Sequence, residues 1–255
     1  DWSSDVCSSD LAPRNLTPGN YEHSHPAWLA DSSGIVTSGA LHEGWDIDLA
    51  TDLHIVTLDG TITTLTDRKG VYYLPSVSPD GKRVAFVGYD DPLTSPQNDH
   101  IGVLELSTKN RQWVSRALDR TFATTAGAVA PIWTSDGWLL AYAEDRGTAH
   151  VVRVDPTGKK APEWLTSGRR IVKGVHAAGG TIGFVASAVD QMTEVYAIVG
   201  GSADIRIGLL LPSLTLSAFG VNQASSSLPQ PSSCGVAGCD LQPSWPAGQP
   251  IRTWK

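Results

Sequence analysis

The feature that most constrains the fold of this chain is an internal repeat. Four segments share an apolar run, a polar turn ending at glycine and a second apolar run: PAWLADSSGIVTSGA (26–40), PSVSPDGKRVAFVGY (75–89), PIWTSDGWLLAYAED (131–145) and HAAGGTIGFVASAVD (176–190). Their turn glycines Gly34, Gly81, Gly137 and Gly180 lie 47, 56 and 43 residues apart. Pro79-Asp80-Gly81 offers a preset φ, a side-chain acceptor and a residue that tolerates positive φ, as a tight turn requires. The repeat therefore predicts four β-hairpins.

A third apolar run follows each hairpin, at 52–58, 100–106, 149–155 and 193–199. Val, Ile, Leu and Tyr dominate these runs, and apolar and polar residues alternate most clearly in HIGVLEL and HVVRVD, as in strands. A fourth run follows three of them, at 59–67, 108–117 and 157–166. The repeating unit is thus four antiparallel strands in about 45 to 55 residues. Helical spacing is absent from these runs.

Such a unit predicts an all-β fold, a partial β-propeller of about four four-stranded antiparallel blades of WD-like or TolB-like type. A β-sandwich is the competing fold, but it lacks a repeated turn signature. Since closed rings have about four to eight blades, we expect the chain to be part of a larger ring. The first strand of each blade should pack on its neighbour, which predicts that Trp28, Val77 and Trp133 are buried at blade interfaces.

One repeat carries a resemblance to a known family. The string SVSPDGKRVAFVGYDDPLTSPQNDHIGVLEL (76–106) resembles a blade of bacterial dipeptidyl aminopeptidase and acylaminoacyl peptidase-like enzymes, in the prolyl oligopeptidase family of serine peptidases. LTDRKG (65–70) and ALDRTF (117–122) resemble blade junctions of that family, whereas Pro-Asp-Gly alone is shared with TolB-like propellers. The resemblance covers residues 20–200 and implies the last four blades of a seven-bladed domain. It further implies a following α/β-hydrolase domain with a Ser, Asp and His triad, and a propeller that admits only short peptides.

The sequence contains no catalytic motif that this resemblance could assign. An α/β-hydrolase presents its nucleophile on a Gly-x-Ser-x-Gly turn, and the nearest string, Gly200-Gly201-Ser202-Ala203-Asp204, lacks the closing glycine. We therefore assign no catalytic, cofactor-binding or metal-ligating residue and expect no cofactor. An enzyme acting within the propeller itself would need a cluster of acid, base or metal-binding residues that the sequence does not offer.

Several short motifs have a chemical and a structural interpretation. His23 and His25 alternate as two metal ligands on a strand would, but they lack a third ligand and favour an exposed loop pair. The acidic pairs in DID (46–48) and YDD (89–91) lack the glycine and distal glutamate of a calcium loop, which favours turn-capping aspartates. Trp45 either lines a binding mouth or packs on its own blade. CGVAGC (234–239) has no second half-site to complete a metal centre.

Charge and hydropathy exclude two classes of partner. The chain has 19 Lys and Arg against 26 Asp and Glu, a net charge of −7, and no basic run that would neutralise a phosphate backbone. Its longest apolar run, IGLLLPSLTLSAF (207–219), is short and broken by Pro212, so it does not predict a membrane span. The central region has no cysteine, which fits a reducing compartment. We expect no nucleic acid, no membrane and a cytoplasmic location.

Composition divides the chain into three segments. Residues 1–11, DWSSDVCSSDL, resemble a translated high-throughput sequencing adapter, so they are interpreted as an artefact without functional weight. Residues 12–200 carry the partial propeller. Residues 201–255 are poor in charge and rich in Ser and Pro. They are interpreted as an irregular tail, a diverged last element or a segment read in a shifted frame.

Two functions remain open on the sequence. The first is a fragment of the substrate-gating propeller of a prolyl oligopeptidase-family peptidase, whose partners are the missing C-terminal hydrolase domain and short peptide substrates. The second is a TolB-like binding propeller that serves as a scaffold for a protein partner. Coding sequence downstream of this region discriminates them, because the first requires a Gly-x-Ser-x-Gly elbow there.

Overall fold

Fifteen strands make up the regular structure of the described part of the chain. The computed structural model describes residues 12–94, 96–123 and 129–199, and within these ranges it contains strands and no helix. No described residue thus belongs to a helix able to span a bilayer. The predicted leader (1–11) and the predicted tail (201–255) lie outside the described residues.

The strands fall into four blades in chain order. The first blade contains β1 (Glu22–Trp28), β2 (Gly34–Ala40), β3 (Asp52–Thr57) and β4 (Ile62–Thr64). The second contains β5 (Gly70–Val77), β6 (Arg83–Asp90), β7 (His100–Glu105) and β8 (Arg111–Trp113). The third contains β9 (Ile132–Trp133), β10 (Leu139–Asp145), β11 (Thr148–Val154) and β12 (Glu163–Trp164). The fourth contains β13 (Arg170–Ala178), β14 (Thr181–Ala188) and β15 (Gln191–Val199).

Within each blade, consecutive strands pair antiparallel, as the repeat predicts. Neighbouring blades touch through single parallel pairs, Thr51 with Val71 and Ala149 with Ile171, and the latter joins the third and fourth blades into one seven-stranded sheet. The four hairpins and the four third strands are confirmed. The predicted fourth strands exist but are shorter, since only two or three residues of each form a ladder at the blade edge.

The turn glycines serve two different physical purposes. Gly81 and Gly137 have φ of 66° and 81°, the left-handed conformation that their tight turns require. Gly34 is instead the first residue of β2, and Ser32 holds the positive φ of that turn at 60°. A Cβ on Gly34 would lie 2.8 Å from the Val56 carbonyl oxygen, so this glycine permits the close approach of β3.

Three apolar cores lie between successive blades, and β6 and β10, the second strands of the second and third blades, each contribute to two of them. On β6, Val84 and Phe86 belong to the core between the first and second blades. Ala85 and Val87 face the core between the second and third. Because successive side chains of a strand point to opposite faces, a strand covered on both faces is apolar throughout. The continuous apolar runs of β6 and β10 therefore follow from two-sided burial.

Packing of the first strands at blade interfaces is confirmed at two blades, where Val77 and Trp133 are half-buried, and is wrong at one. Val77 packs in the core between the first and second blades, and Trp133 packs in the core between the second and third. Trp28, the matching residue of the first blade, is 59% exposed. Val77 and Trp133 pack in cores shared with the blade before them, whereas no described blade packs on Trp28. This difference in packing accounts for the exposure of Trp28 among the described residues.

Candidate functional site

The loops from second to third strands and the connections between blades gather at one end of the sheets. Antiparallel pairing and the parallel contacts between blades place the loops 41–51, 146–147 and 189–190 and the described loop residues 91–94 and 96–99 at the same end. The connections 65–69, 114–131 and 165–169 begin and end there too. We call this set of loops and connections the crossover end. Binding residues are often carried by loops on a rigid scaffold, so the crossover end is the candidate functional surface.

The carboxylate of Asp90, at the end of β6, is the centre of a charged network at the crossover end. It accepts hydrogen bonds from the Trp113 indole N–H at 2.7 Å and from the Tyr72 hydroxyl at 3.2 Å. The guanidinium groups of Arg111 and Arg116 lie 2.9 Å from its two oxygens. Arg111 also stacks on the Tyr72 ring, at 4.8 Å from its centroid. Asp90 thereby ties together β5, β6, β8 and the connection that follows.

The electrostatics of this network keep Asp90 ionised. Burial alone would raise the pKa of Asp90, but the Trp113 indole N–H and the two arginines outweigh it, so the pKa lies below its usual value. Burial raises the pKa of the Tyr72 hydroxyl, and the nearby Asp90 carboxylate adds to that effect, although Arg111 opposes it. The site therefore holds a charged carboxylate and a neutral phenol at neutral pH.

Two further tethers fix the connection between the second and third blades. The Tyr73 hydroxyl donates to Asp99 at 2.7 Å, and the Asp99 backbone N–H donates to the Thr121 hydroxyl at 3.3 Å. The Arg120 guanidinium lies 2.8 Å from Asp145 at the end of β10. These contacts anchor the first described part of the connection, residues 114–123, to the second and third blades.

The residues that carry the family resemblance are structural in this chain. The Gln97 side-chain amide donates to the backbone oxygens of Asp90 and Asp91, at 2.8 Å each. The Thr94 hydroxyl donates to the Asp91 carboxylate at 2.5 Å. The Gly-Tyr-Asp-Asp and Gln-Asn segments thus hold the β6–β7 loop in shape. The prediction of a turn-capping aspartate is confirmed for Asp91 and wrong for Asp90, which is the centre of an ion-pair network.

A cavity of about 360 Å³ opens at the crossover end between the third and fourth blades. Its walls come from 146–148 in the β10–β11 turn, from 169–171 at the start of β13 and from 187–189 at the end of β14. The parallel pairing of Ala149 with Ile171 brings the first two segments side by side. The cavity contains three arginines, Arg146, Arg169 and Arg170, and can therefore attract an anion.

His23 and His25 have no third ligand grouped with them among the described residues. His23 and His25 lie on β1, where a register shift between Ser24 and Ala27 separates them, so the exposed-loop interpretation is wrong for their backbone. His23 is half-buried, with its ring centroid 6.4 Å from that of His54, and burial lowers the pKa of both rings. In the described ranges, no three His, Cys, Asp or Glu side chains are grouped so as to hold a metal ion.

The other sequence candidates have local roles or lie outside the described residues. The Asp48 carboxylate lies 2.9 Å from the His42 ring nitrogen and accepts the Ala50 N–H at 2.9 Å, so it caps its loop as predicted. Trp45 is half-buried in that loop. The CGVAGC segment (234–239) and the Gly200–Asp204 string lie outside the described residues.

No nucleophilic arrangement is accessible in the described part of the chain. The Ser38 hydroxyl lies 3.4 Å from the His25 ring nitrogen, but Ser38 is 1% exposed and its hydroxyl also bonds to Ser24. A serine nucleophile must reach its substrate and needs an oriented base. This contact is therefore part of the β1–β2 packing.

Sequence reasoning missed the Asp90 network and the arginine cavity, although each left a signal. In RQWVSR (111–116), the i, i+2 spacing places Arg111 and Trp113 on one face of a strand. The pair Arg169-Arg170 is visible in the sequence, but Arg146 lies far from it along the chain. Only strand pairing brings the three arginines together.

Comparison of this chain with solved structures identifies proteins that share its fold. No protein-family model matches the chain, and no curated protein matches its sequence. Among solved structures, it is similar to TolB from Acinetobacter baumannii, with 20% identity and a TM-score of 0.52 over 78% of this chain and 45% of that one. It is also similar to a puromycin-hydrolyzing peptidase from Mycobacterium tuberculosis, with 18% identity and a TM-score of 0.58 over 75% of this chain and 31% of that one.

A third similar structure is the acylaminoacyl peptidase of Pyrococcus horikoshii, with 14% identity and a TM-score of 0.54 over 71% of this chain and 26% of that one. The chain thus spans less than half the length of TolB from Acinetobacter baumannii and about a third or less of the two peptidases. These similarities confirm the predicted fold, an all-β partial propeller like those of TolB and of peptidases.

Proposed function

We propose that this chain is part of a β-propeller that restricts access of substrates to the active site of a serine peptidase of the prolyl oligopeptidase family. The observation that carries the proposal is the structural similarity of the four blades to two peptidases. The chain superposes on those two structures with TM-scores of 0.54 and 0.58. The ordered string at 76–106 supports the same assignment, and its polar residues hold a loop of the crossover end in shape.

A gate of this kind must be stiff, because a propeller that opened freely would admit folded proteins. Stiffness has two sources here. The strands β6 and β10 contribute to the cores on both sides of their blades, and the Asp90 network and the Arg120–Asp145 pair tie the connections to the blades. Close-packed interfaces resist deformation. The rigid blades are therefore compatible with a barrier through which short unfolded peptides pass and larger substrates do not.

The partners follow from this role. The proposed protein partner is a C-terminal α/β-hydrolase domain that supplies the Ser, Asp and His triad, and the proposed substrates are short peptides. The net charge of −7 supports the proposal that nucleic acid is not a partner. A cysteine-free central region supports a cytoplasmic location, away from membranes.

The test is to recover the gene around this segment and to assay its full-length product. The proposal predicts a downstream Gly-x-Ser-x-Gly elbow and cleavage of short peptides, with the rate falling as substrate length grows. An Asp90→Asn variant should increase the cleavage of long relative to short peptides, because it loosens the wall. Asp59→Asn, on an exposed turn, is the matched control and should leave that ratio unchanged. A downstream region without an elbow, or cleavage independent of substrate length, would contradict the proposal.

The second candidate is a TolB-like binding propeller that recruits a protein partner. The TolB structure from Acinetobacter baumannii favours it, since its alignment includes 78% of this chain. Under this function, the coding sequence ends without a hydrolase domain, and the full-length product captures a protein partner but does not react with a serine-directed fluorophosphonate. Labelling of the full-length product by the fluorophosphonate would support the peptidase function and contradict the binding-propeller function.

A further inference from the structure

We propose that the cavity between the third and fourth blades binds small molecules that carry a carboxylate next to an apolar group. This binding site goes beyond the gating function and does not depend on it. The cavity measures about 360 Å³ and is lined in part by Arg146, Arg169 and Arg170. Each can donate two parallel hydrogen bonds to a carboxylate, which is the geometry that favours arginine over lysine at such sites.

The first argument is a contrast between arginines of the crossover end. Arg111, Arg116 and Arg120 each pair with an aspartate at 2.8 to 2.9 Å. Across the described ranges, no carboxylate forms an ion pair with Arg146, Arg169 or Arg170. Three like charges around one cavity repel one another, and a bound anion would relieve that repulsion.

The acidic residues nearest in sequence do not replace such an anion. Asp145 precedes Arg146 but is held by Arg120 at 2.8 Å. Asp190 follows Val189 on an exposed turn and forms no ion pair with a described cation. No described carboxylate therefore forms an ion pair with the three arginines, although the molecule has a net charge of −7.

The second argument is that one arginine side chain is held in place and that another arginine occupies a costly backbone position. Arg170 lies over the Tyr196 ring, 5.4 Å from its centroid, and its backbone pairs with Ala188. Arg146 and Gly147 form the two-residue turn between β10 and β11, with φ of 51° and 80°. Both central residues of such a turn need positive φ, so Asn-Gly or Asp-Gly is the favoured pair. An arginine there bears a conformational cost in a turn that lines the cavity.

The third argument concerns the rest of the ligand. Ile171, Ala188 and Val189 provide apolar wall, and the Thr148 and Ser187 hydroxyls lie on the same surface. Ile171 is 37% exposed and Val189 is 92% exposed, so a ligand would cover apolar surface that now faces water. A bare inorganic anion would leave that surface exposed. The cavity therefore fits a carboxylate with an adjoining apolar side chain, such as the free C-terminus of a short apolar peptide.

The test is calorimetric titration of the full chain with N-acetyl-leucyl-leucine, with its C-terminal amide and with inorganic phosphate. The acid should bind at least about tenfold more tightly than the amide, the ratio that one lost charge-assisted hydrogen-bond pair implies. Arg146→Gln and Arg169→Gln should each weaken the acid about tenfold. Arg68→Gln, another exposed arginine of the crossover end, is the matched control and should leave binding unchanged.

A further variant separates lost binding from lost folding. Val189→Glu places a carboxylate at the exposed rim of the cavity, where it competes with the ligand, and should abolish binding without lowering the melting temperature. Equal binding of acid and amide, or no binding of the acid, would overturn the proposal. Phosphate binding as tight as that of the acid would overturn it as well, because the cavity would then be a site for inorganic anions.

Discussion

Trp133 and Trp28 occupy matching positions in two blades, and their surroundings differ. Each is the last residue of a first strand, and each pairs with a residue at or near the start of the second strand, Leu139 and Ile35 respectively. The Trp133 indole N–H donates to the Ser76 carbonyl oxygen at 3.0 Å, and the Arg83 guanidinium lies 4.8 Å from its ring. Trp28 is 59% exposed. The difference shows that burial at this position depends on the preceding blade.

The same contrast separates whole strands. β6 is buried at five of its eight positions and β10 at five of its seven, because each lies between two apolar cores. β15 is exposed along most of its length, with Val195 and Val199 more than half exposed. A blade inside the array is therefore constrained on two faces, whereas the outer strands of the described array are constrained on one. Substitutions of the same chemistry should cost more inside the array than at its edges.

The largest expected effect is at Gly102, on β7 of the second blade. A Cβ there would lie 2.2 Å from the Phe86 ring, which is fully buried and contacts Tyr72 and Trp113. Gly102→Ala should lower the free energy of unfolding by about 3 kcal/mol, because the packed core cannot yield. Gly137→Ala, on a turn with no atom within 4 Å, should cost about 1 kcal/mol from backbone strain alone. Urea denaturation measures both free energies of unfolding. Equal losses of stability in the two variants would contradict the difference between the packed interior and the exposed turn.

The tryptophan pair gives the next largest effect. Trp133→Ala should lower the free energy of unfolding by about 2 to 3 kcal/mol, because it removes an interface side chain and its hydrogen bond. Trp28→Ala should cost less than about 1 kcal/mol, since the ring is mostly in water. Thermal denaturation of the two variants beside the unaltered chain checks the difference. A loss at Trp28 as large as that at Trp133 would mean that Trp28 is covered in solution.

A matched valine pair tests the two-sided strand. Val87 of β6 is fully buried, and Val87→Thr places a hydroxyl in the core between the second and third blades. This should cost about 1 to 2 kcal/mol. Val195 of β15 is 59% exposed, and Val195→Thr should change stability by less than about 0.5 kcal/mol. The midpoint of urea denaturation measures both changes in stability. A larger loss of stability for Val195→Thr than about 0.5 kcal/mol would contradict the assignment of Val195 to a solvent-exposed face of β15.

The smallest expected effect concerns pH. Because the pKa of Asp90 is lowered in the folded state, its ion pairs stabilise the fold above the usual aspartate pKa of about 4. That contribution is lost as the pH falls through the lower, folded-state pKa. Asp90→Asn should cost about 1 kcal/mol at pH 7, discounted because the group is partly exposed, and should weaken the loss of stability in acid. An unchanged pH profile in the variant would show that other carboxylates govern acid unfolding.

Local chemistry made the blades predictable from the sequence. Pro79-Asp80-Gly81 and Ser135-Asp136-Gly137 specify their turns within a few residues, and alternation marks the strands beside them. The fourth strands were predicted too long, because only two or three residues of each pair at the blade edge. The exposure of Trp28 was not predictable, since it depends on a neighbouring blade and not on its own sequence.

The candidate sites were harder to predict for the same physical reason. Asp90 meets Arg111 and Arg116 only after β6, β7 and β8 have paired, and the motif around Asp90 suggested no more than a turn cap. The arginine cavity needs the parallel contact of β11 with β13, which is a single residue pair. Contacts of this kind are set by how blades dock, and a single sequence encodes that docking weakly.

Hydrogen exchange of the full chain, followed by mass spectrometry, tests most directly the claim that the blades pack as a propeller array with second strands covered on both faces. Amides of β6 and β10 should exchange slowest, through global unfolding, because they lie between two cores. Amides of β1 and β15 should exchange fastest among the strands of seven or more residues. Protection of β15 equal to that of β10 would contradict the account.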